Sequence, residues 1–216
     1  MSMSSTMNQR GFAKAGCLIA VGALAFLVLI AAFLFAGRYN TLVTLQEKNE
    51  AAWSEIDNQY KRRFDLIPQL VATVKGAADF EKSTMEAVTE ARAGVGRAQL
   101  PPGLPNDPAQ LQKYIQAQQG LGAALGRLFV VVERYPELKA NQNFLSLQDQ
   151  LEGTENRIAV ARRDYIESVR AFNTYLRRFP TNLVAGLFGF EKLPQLPFEE
   201  TERETPKVDL NFGDDS

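Results

Sequence analysis

The sequence predicts an all-α protein: an N-terminal transmembrane helix continuing into an antiparallel four-helix bundle, closed by a disordered acidic C-terminal tail. Three observations predict it. A charge-free apolar run, Ala15 to Gly37, sits near the start of the chain; at about 23 residues it is long enough to cross a bilayer as a helix, which takes about 20. Beyond it, apolar residues recur at three- and four-residue spacing through four segments, the pattern of helices that bury one stripe. Strand signals are nearly absent, Phe129 to Val132 being the only β-like run.

The apolar run is too long for a signal-peptide core of roughly 7–15 residues, and no small-x-small cleavage site follows it, so residues 15–37 read as a retained transmembrane anchor behind a short segment, residues 1–14. Cys17 is the only cysteine. A lipidated cysteine would follow an apolar core, whereas Cys17 opens one just after Lys14, so it reads as a small apolar residue of the span. One cysteine permits no internal disulfide. Arg10 and Lys14 flank the run on one side without an acid, while Arg38 and Lys48 on the other are offset by Glu47 and Glu50. That bias favours the N-terminus inside and the bundle outside, hence a single-pass protein of the cell (inner) membrane with its bundle on the extracytoplasmic side.

Residues 38–180 form the expected bundle. The first helix runs from about Arg38 to Arg63 on a seam of Leu42, Leu45, Asn49, Ala52, Ile56, Gln59 and Arg63. A second starts at Asp65, which caps it, with Pro68 in the first turn where a missing N–H costs nothing; a continuous helix kinked at Pro68 is the competing reading. It ends near Arg97, before the breaker Leu100-Pro101-Pro102-Gly103-Leu104-Pro105. The third opens at Asp107-Pro108, a cap followed by proline at the first helical position, and carries Leu111, Ile115, Gln118, Leu121, Leu125, Phe129 and Val132. The fourth runs from Pro136 to about Phe179, with Asn141, Leu145, Gln148, Leu151, Glu155, Ile158, Tyr165, Val169, Phe172, Leu176 and Phe179 on its seam. Four helices with short connections imply an antiparallel bundle. Residues 181–198 follow as an apolar segment, and 199–216 as an acidic tail with few core-forming residues.

The composition narrows the chemistry. The chain has no histidine, which removes His-based triads, His zinc sites and the Glu-x-x-His di-iron motif. Ser54 lies in no nucleophile motif, and Glu55 with Asp57 reads as two solvated acids. No catalytic, cofactor-binding or metal-ligating residue is assigned, and no cofactor is implied. There is no long basic stripe, so nucleic acid is not an expected partner.

Three features remain as candidate sites. Lys61-Arg62-Arg63 is the densest basic cluster. In a continuous helix it would stand ~35–40 Å beyond the span, so it reads either as a partner-binding tip or as a helix-terminus cluster favourable to the dipole. Asn49, Gln59, Gln118, Gln148 and Glu155 interrupt apolar seams, with Arg157 and Arg162 nearby. Several of them are expected to meet inside the bundle as a buried polar layer, Glu155 paired with an arginine, because buried polar groups need partners and such layers fix register. Leu183, Val184, Leu187, Phe188 and Phe190 form an apolar patch after Phe179-Pro180. Two placements stand open for it, at the bilayer interface or folded back on the bundle. Gly120, Gly122 and Gly126 offer a small-residue side for close packing of the third helix.

The stretch Tyr39-Asn40-Thr41-Leu42-Val43, then Ala52-Trp53-Ser54-Glu55-Ile56-Asp57, then Lys61-Arg62-Arg63-Phe64-Asp65-Leu66-Ile67-Pro68-Gln69-Leu70-Val71, resembles the LemA family. Tyr135-Pro136-Glu137-Leu138-Lys139-Ala140 and Glu152-Gly153-Thr154-Glu155-Asn156-Arg157-Ile158 extend the resemblance, over roughly residues 18–190. Gly76-Ala77-Ala78-Asp79-Phe80-Glu81 lacks the Tyr and His often found there, Ile166 stands where Asn is usual, and Tyr60 replaces a Leu, so roles resting on those residues do not transfer. The resemblance implies a bacterial, membrane-anchored helical bundle outside the cytoplasm and no enzyme activity. The expected function is a non-enzymatic scaffold or organiser at the bacterial envelope, partnered by the lipid bilayer, by other membrane or envelope proteins, or by a second copy of itself. The alternative is an extracytoplasmic sensory or ligand-binding bundle, which would need a polar cavity between its helices.

Overall fold

The computed structural model describes residues 9–76 and 80–196. The acidic tail lies outside them. The helices are α1 (Gln9–Lys75), α2 (Lys82–Arg97), α3 (Pro108–Val132), α4 (Pro136–Lys139), α5 (Gln142–Arg177) and α6 (Thr181–Phe188). No strand occurs among the described residues. The all-α reading stands, an apolar N-terminal helix leading into a helical bundle.

Two compact units divide the chain. One takes the described residues within Met1–Ala51 and Arg170–Lys192, the other those within Ala52–Val169 and Leu193–Ser216.

In the second unit, direction can be read from the contacts. Trp53 and Arg63 of α1 meet Tyr165 and Glu155 of α5, so these helices run antiparallel. Tyr60 and Arg63 meet Tyr114 and Gln118 of α3, so α1 and α3 run the same way. The core forms two clusters. Trp53, Ile56, Tyr60, Tyr114, Ile115, Ile158 and Tyr165 anchor one, and Leu193 and Leu196 return to pack on it. Ile67, Leu70, Val88, Leu121, Leu128, Phe144 and Leu151 anchor the other.

The expected second and fourth helices have other bounds, and at Pro68 the structure takes the competing reading, a continuous helix. No helix starts at Asp65: α1 continues through Pro68 to Lys75. Proline has no N–H to give to the carbonyl four residues earlier, and that carbonyl, Phe64 O, instead accepts a hydrogen bond from Arg92 Nε of α2 at 3.3 Å. The same guanidinium stacks on the Phe64 ring, 3.8 Å from its centroid. Pro68 itself is exposed, while Ile67, Leu70 and Val74 continue the buried stripe. The expected second helix is therefore shared between the end of α1 and α2. The expected fourth helix also divides. Pro136 opens the single turn of α4, and α5 starts afresh where Asn141 Oδ1 accepts from the amides of Asn143 (2.9 Å) and Phe144 (3.2 Å), a side-chain cap. By contrast, α3 begins where the sequence places it, Asp107 Oδ1 accepting from Ala109 N at 2.8 Å with Pro108 in the first turn.

In the first unit, Leu42, Phe172, Val184 and Ala185 are buried. The Phe179–Pro180 bond before α6 is cis. Gly189 ends α6 at φ 74°, a left-handed position that suits glycine, and Phe190 N reaches back to Ala185 O at 3.0 Å. From Val21 to Leu34 the large apolar side chains of α1 are exposed. This is the one helix among the described residues that is long and apolar enough to cross a membrane.

Candidate functional site

The structure redistributes the residues singled out in the sequence. The basic cluster does not lie at a helix end. The helix runs on for twelve residues past Arg63 to Lys75, so no helix terminus is there for the charges to favour. Lys61 and Arg62 are exposed, but Arg63 is buried, with 2% of its surface accessible.

Arg63 is the centre of a polar layer in the second unit. Its Nη2 donates to Gln118 Oε1 at 2.6 Å and to the Gln118 carbonyl at 3.0 Å. Its Nη1 donates to Glu155 Oε2 at 2.6 Å, and its guanidinium carbon lies 5.2 Å from the centre of the Tyr60 ring. Its Nε is buried without a hydrogen-bond partner. The layer falls between the two core clusters on each helix: Arg63 between Tyr60 and Leu66, Gln118 between Ile115 and Leu121, the buried Thr154 between Leu151 and Ile158. A charged fork tied to two other helices tolerates only one vertical register, because a slip of a turn would leave a buried guanidinium unpaired.

Other members of the expected layer lie elsewhere. Glu155 does pair with an arginine, Arg63, but from the surface: its side chain is 59% exposed. Arg157 is exposed. Gln148 is half-buried and donates to Glu152 of its own helix at 2.8 Å. Gln59, also half-buried, donates to Glu55 at 2.8 Å while its Oε1 is buried and unpaired. Asn49 is fully buried in the first unit, both of its amide atoms without a partner. Glu155 and Arg157 differ because a seam position read from spacing can rotate toward solvent when neighbouring helices do not cover it, whereas Asn49 keeps its buried position but meets no polar partner. Gly120 and Gly126 likewise face open space, and only Gly122 has a neighbour, the Arg63 guanidinium, within 4 Å of where a Cβ would stand.

Two tyrosines are buried in the second unit, Tyr114 one turn from Gln118 and Tyr165 against Trp53. Burial, and then the charge of Asp57, push the Tyr114 phenol well above its usual range; its hydroxyl hydrogen bonds to Asp57 Oδ1 at 3.4 Å. Burial does the same to Tyr165, whose hydroxyl has no partner. For both, the folded state prefers the proton more than the unfolded chain does. Their contribution to stability is therefore complete below about pH 10 and is lost as pH rises through the raised folded values. Alkaline titration of the full chain should show the last tyrosinate absorbance appearing only as helical circular dichroism collapses. Ionisation of all six tyrosines with the helix signal intact would contradict this.

In the first unit, burial alone would raise the Tyr175 phenol, but hydrogen bonds from Arg38, Thr41 and Thr181 favour its anion and bring it below the usual value. Arg38 Nη1 stands 3.4 Å from its oxygen. The apolar patch divides between a buried side and an exposed one. Val184 is buried, Phe190 is half-buried, and Leu183, Leu187 and Phe188 remain exposed. The rings of Phe188 and Phe190 lie 4.8 and 5.8 Å from that of Tyr39. Among the described residues no group of three or more His, Cys, Asp or Glu is placed to hold a metal ion.

Arg92 on Phe64 and the return of Leu193 and Leu196 to the Trp53 cluster were not legible in the sequence. An isolated arginine on an amphipathic helix, and two leucines among prolines, carry no periodic signal.

A helical bundle whose first helix also carries an exposed, span-length apolar run defines a class, the bundle-type membrane proteins. Within it, the chain belongs to the LemA family, whose sequence profile matches residues 52–210. It is similar to magnetosome protein MamQ 2 of Paramagnetospirillum magneticum, 27% identical over 95% of this chain and 82% of the relative. It is similar to magnetosome protein MamQ of Magnetospirillum gryphiswaldense, 25% identical over 88% and 76%. With protein LemA of Metamycoplasma hominis it shares 28% identity over 79% of this chain and 74% of the relative.

Proposed function

We propose that this protein is a non-enzymatic scaffold that organises partner proteins at the bacterial inner membrane, with its bundle on the extracytoplasmic side. One observation carries the reading. α1 is a single helix from Gln9 to Lys75: its early part exposes a bilayer-length apolar surface, and its later part supplies Trp53, Ile56, Tyr60, Ile67 and Leu70 to the core. A chain built only to hold a soluble domain near a membrane would need no more than a flexible linker at that point. The relatives, named as magnetosome proteins and as protein LemA, carry no enzyme name, which fits a non-chemical role.

Photocrosslinking tests it. A photoreactive amino acid at Lys61 or Arg62, both exposed, in the full chain expressed at native abundance should give discrete adducts with envelope proteins or a second copy. Adducts confined to cytoplasmic proteins would overturn the orientation. The absence of any protein adduct, together with saturable binding of a small molecule, would overturn the scaffold in favour of a ligand-binding bundle.

A further inference from the structure

We infer that α6 is a second membrane contact: a short interfacial helix that seats Leu183, Leu187 and Phe188, with Phe179 ahead of them, in the headgroup–acyl boundary beside the emerging span. This rests on the apolar run of α1 crossing a bilayer, and is independent of whether the bundle scaffolds partners.

The placement comes from contacts within the first unit. The Phe188 ring lies 4.8 Å from that of Tyr39. Tyr39 is two residues beyond Gly37, the last residue of the apolar run, and at ~1.5 Å per residue it is ~3 Å further along the helix axis. The interfacial zone on each side of a bilayer is itself ~5–8 Å deep, so the C-terminal end of α6 lies at the level where the span leaves the hydrocarbon.

The surface it presents there fits lipid. α6 buries Thr181, Val184 and Ala185 and turns the rest of its side chains outward. Phe179 is 81% exposed and Leu187 74%, values comparable to those of the span's own residues and costly in water. Leu183 and Leu187 stand one turn apart on the same face. Exposed Arg177 and Arg178 precede this surface in sequence, and exposed Arg38, next to Tyr39, lies in the same unit; cations beside an apolar face suit anionic headgroups. Tyr39, partly exposed between span and patch, is of the residue type enriched at membrane–water boundaries. The bilayer that holds the span is therefore what covers the patch, because the patch is continuous with a surface already made for lipid.

The test uses the full chain in phosphatidylethanolamine–phosphatidylglycerol vesicles, in a Cys17→Ser background. Leu187→Cys carries an environment-sensitive fluorophore, with Leu24→Cys as a span control and the exposed Leu145→Cys as a bundle control. Lipids bearing a nitroxide at a shallow or a deep acyl position serve as quenchers. The expected result is a loss of fluorescence at position 187 that is greater with the shallow nitroxide, deep quenching at position 24, and none at 145. A probe at 187 that behaves like that at 145 overturns the proposal. So does one shielded from aqueous iodide yet untouched by either nitroxide, since protein would then cover the patch. No quenching at position 24 would remove the span, and with it both this inference and the membrane placement of the proposed scaffold, whereas quenching at 24 without any at 187 overturns this inference alone.

Discussion

Arg63→Ala is expected to lower the stability of the bundle by about 3–5 kcal/mol. Two losses combine. The long side chain fills the space between the two core clusters, and its removal leaves a cavity there. It is also the donor for the buried Gln118 side chain, whose Oε1 would lose its 2.6 Å partner. Arg63→Met restores most of the volume but not the donor, and should recover part of the loss, leaving about 1–3 kcal/mol for the unsatisfied amide. Glu155→Gln keeps an acceptor and removes the counter-charge. Because Glu155 is largely exposed, water screens the pair, and this change should cost no more than about 1 kcal/mol. Thermal unfolding of the full chain in detergent, followed by circular dichroism, gives the order: parent, Glu155→Gln, Arg63→Met, Arg63→Ala. If Arg63→Ala melted with the parent, the polar layer would have no part in holding the fold.

The second large effect concerns Arg92. Arg92→Ala should cost about 1–3 kcal/mol, because it strips the Phe64 carbonyl of its hydrogen bond and the Phe64 ring of its stacked cation. The cause assigned here makes a sharper demand. Pro68→Ala restores the amide that Phe64 O lacks, and should raise stability by itself, since a proline inside a helix removes one ladder bond and crowds the preceding turn. In that background Arg92→Ala should cost markedly less than in the parent. The difference is a coupling between residues on separate helices, read directly from a double-mutant cycle. Equal costs in both backgrounds would mean that Arg92 acts by packing alone.

Pro68 also shows where sequence reasoning stops. Proline in a helix is a local signal, and Asp65 before it is a good cap, so the segment reads as a new start. The helix continues because its apolar stripe does, and because Arg92, 28 positions after Phe64, supplies the missing donor. Asn141 is the reverse case. Its capping ability is local, yet the seam of apolar residues passes through it, and periodicity hid the break. The layer residues fail differently. Gln118 and Arg63 occupy the seam positions assigned to them, but Glu155 and Arg157 face solvent, since a helical period fixes a face only to within a residue either way.

By itself the sequence determined the all-α class, the span-length apolar run, the start of α3 at Asp107-Pro108 and the family. Each is written in short-range terms, in hydropathy, in period or in a cap. Only the tertiary structure decided that one of three adjacent basic residues is buried, that α1 passes through its proline, and that the patch at 183–190 divides between a packed face and an open one. Those outcomes depend on which side chain another helix brings within hydrogen-bonding or van der Waals reach, and no local pattern in the chain encodes that distance.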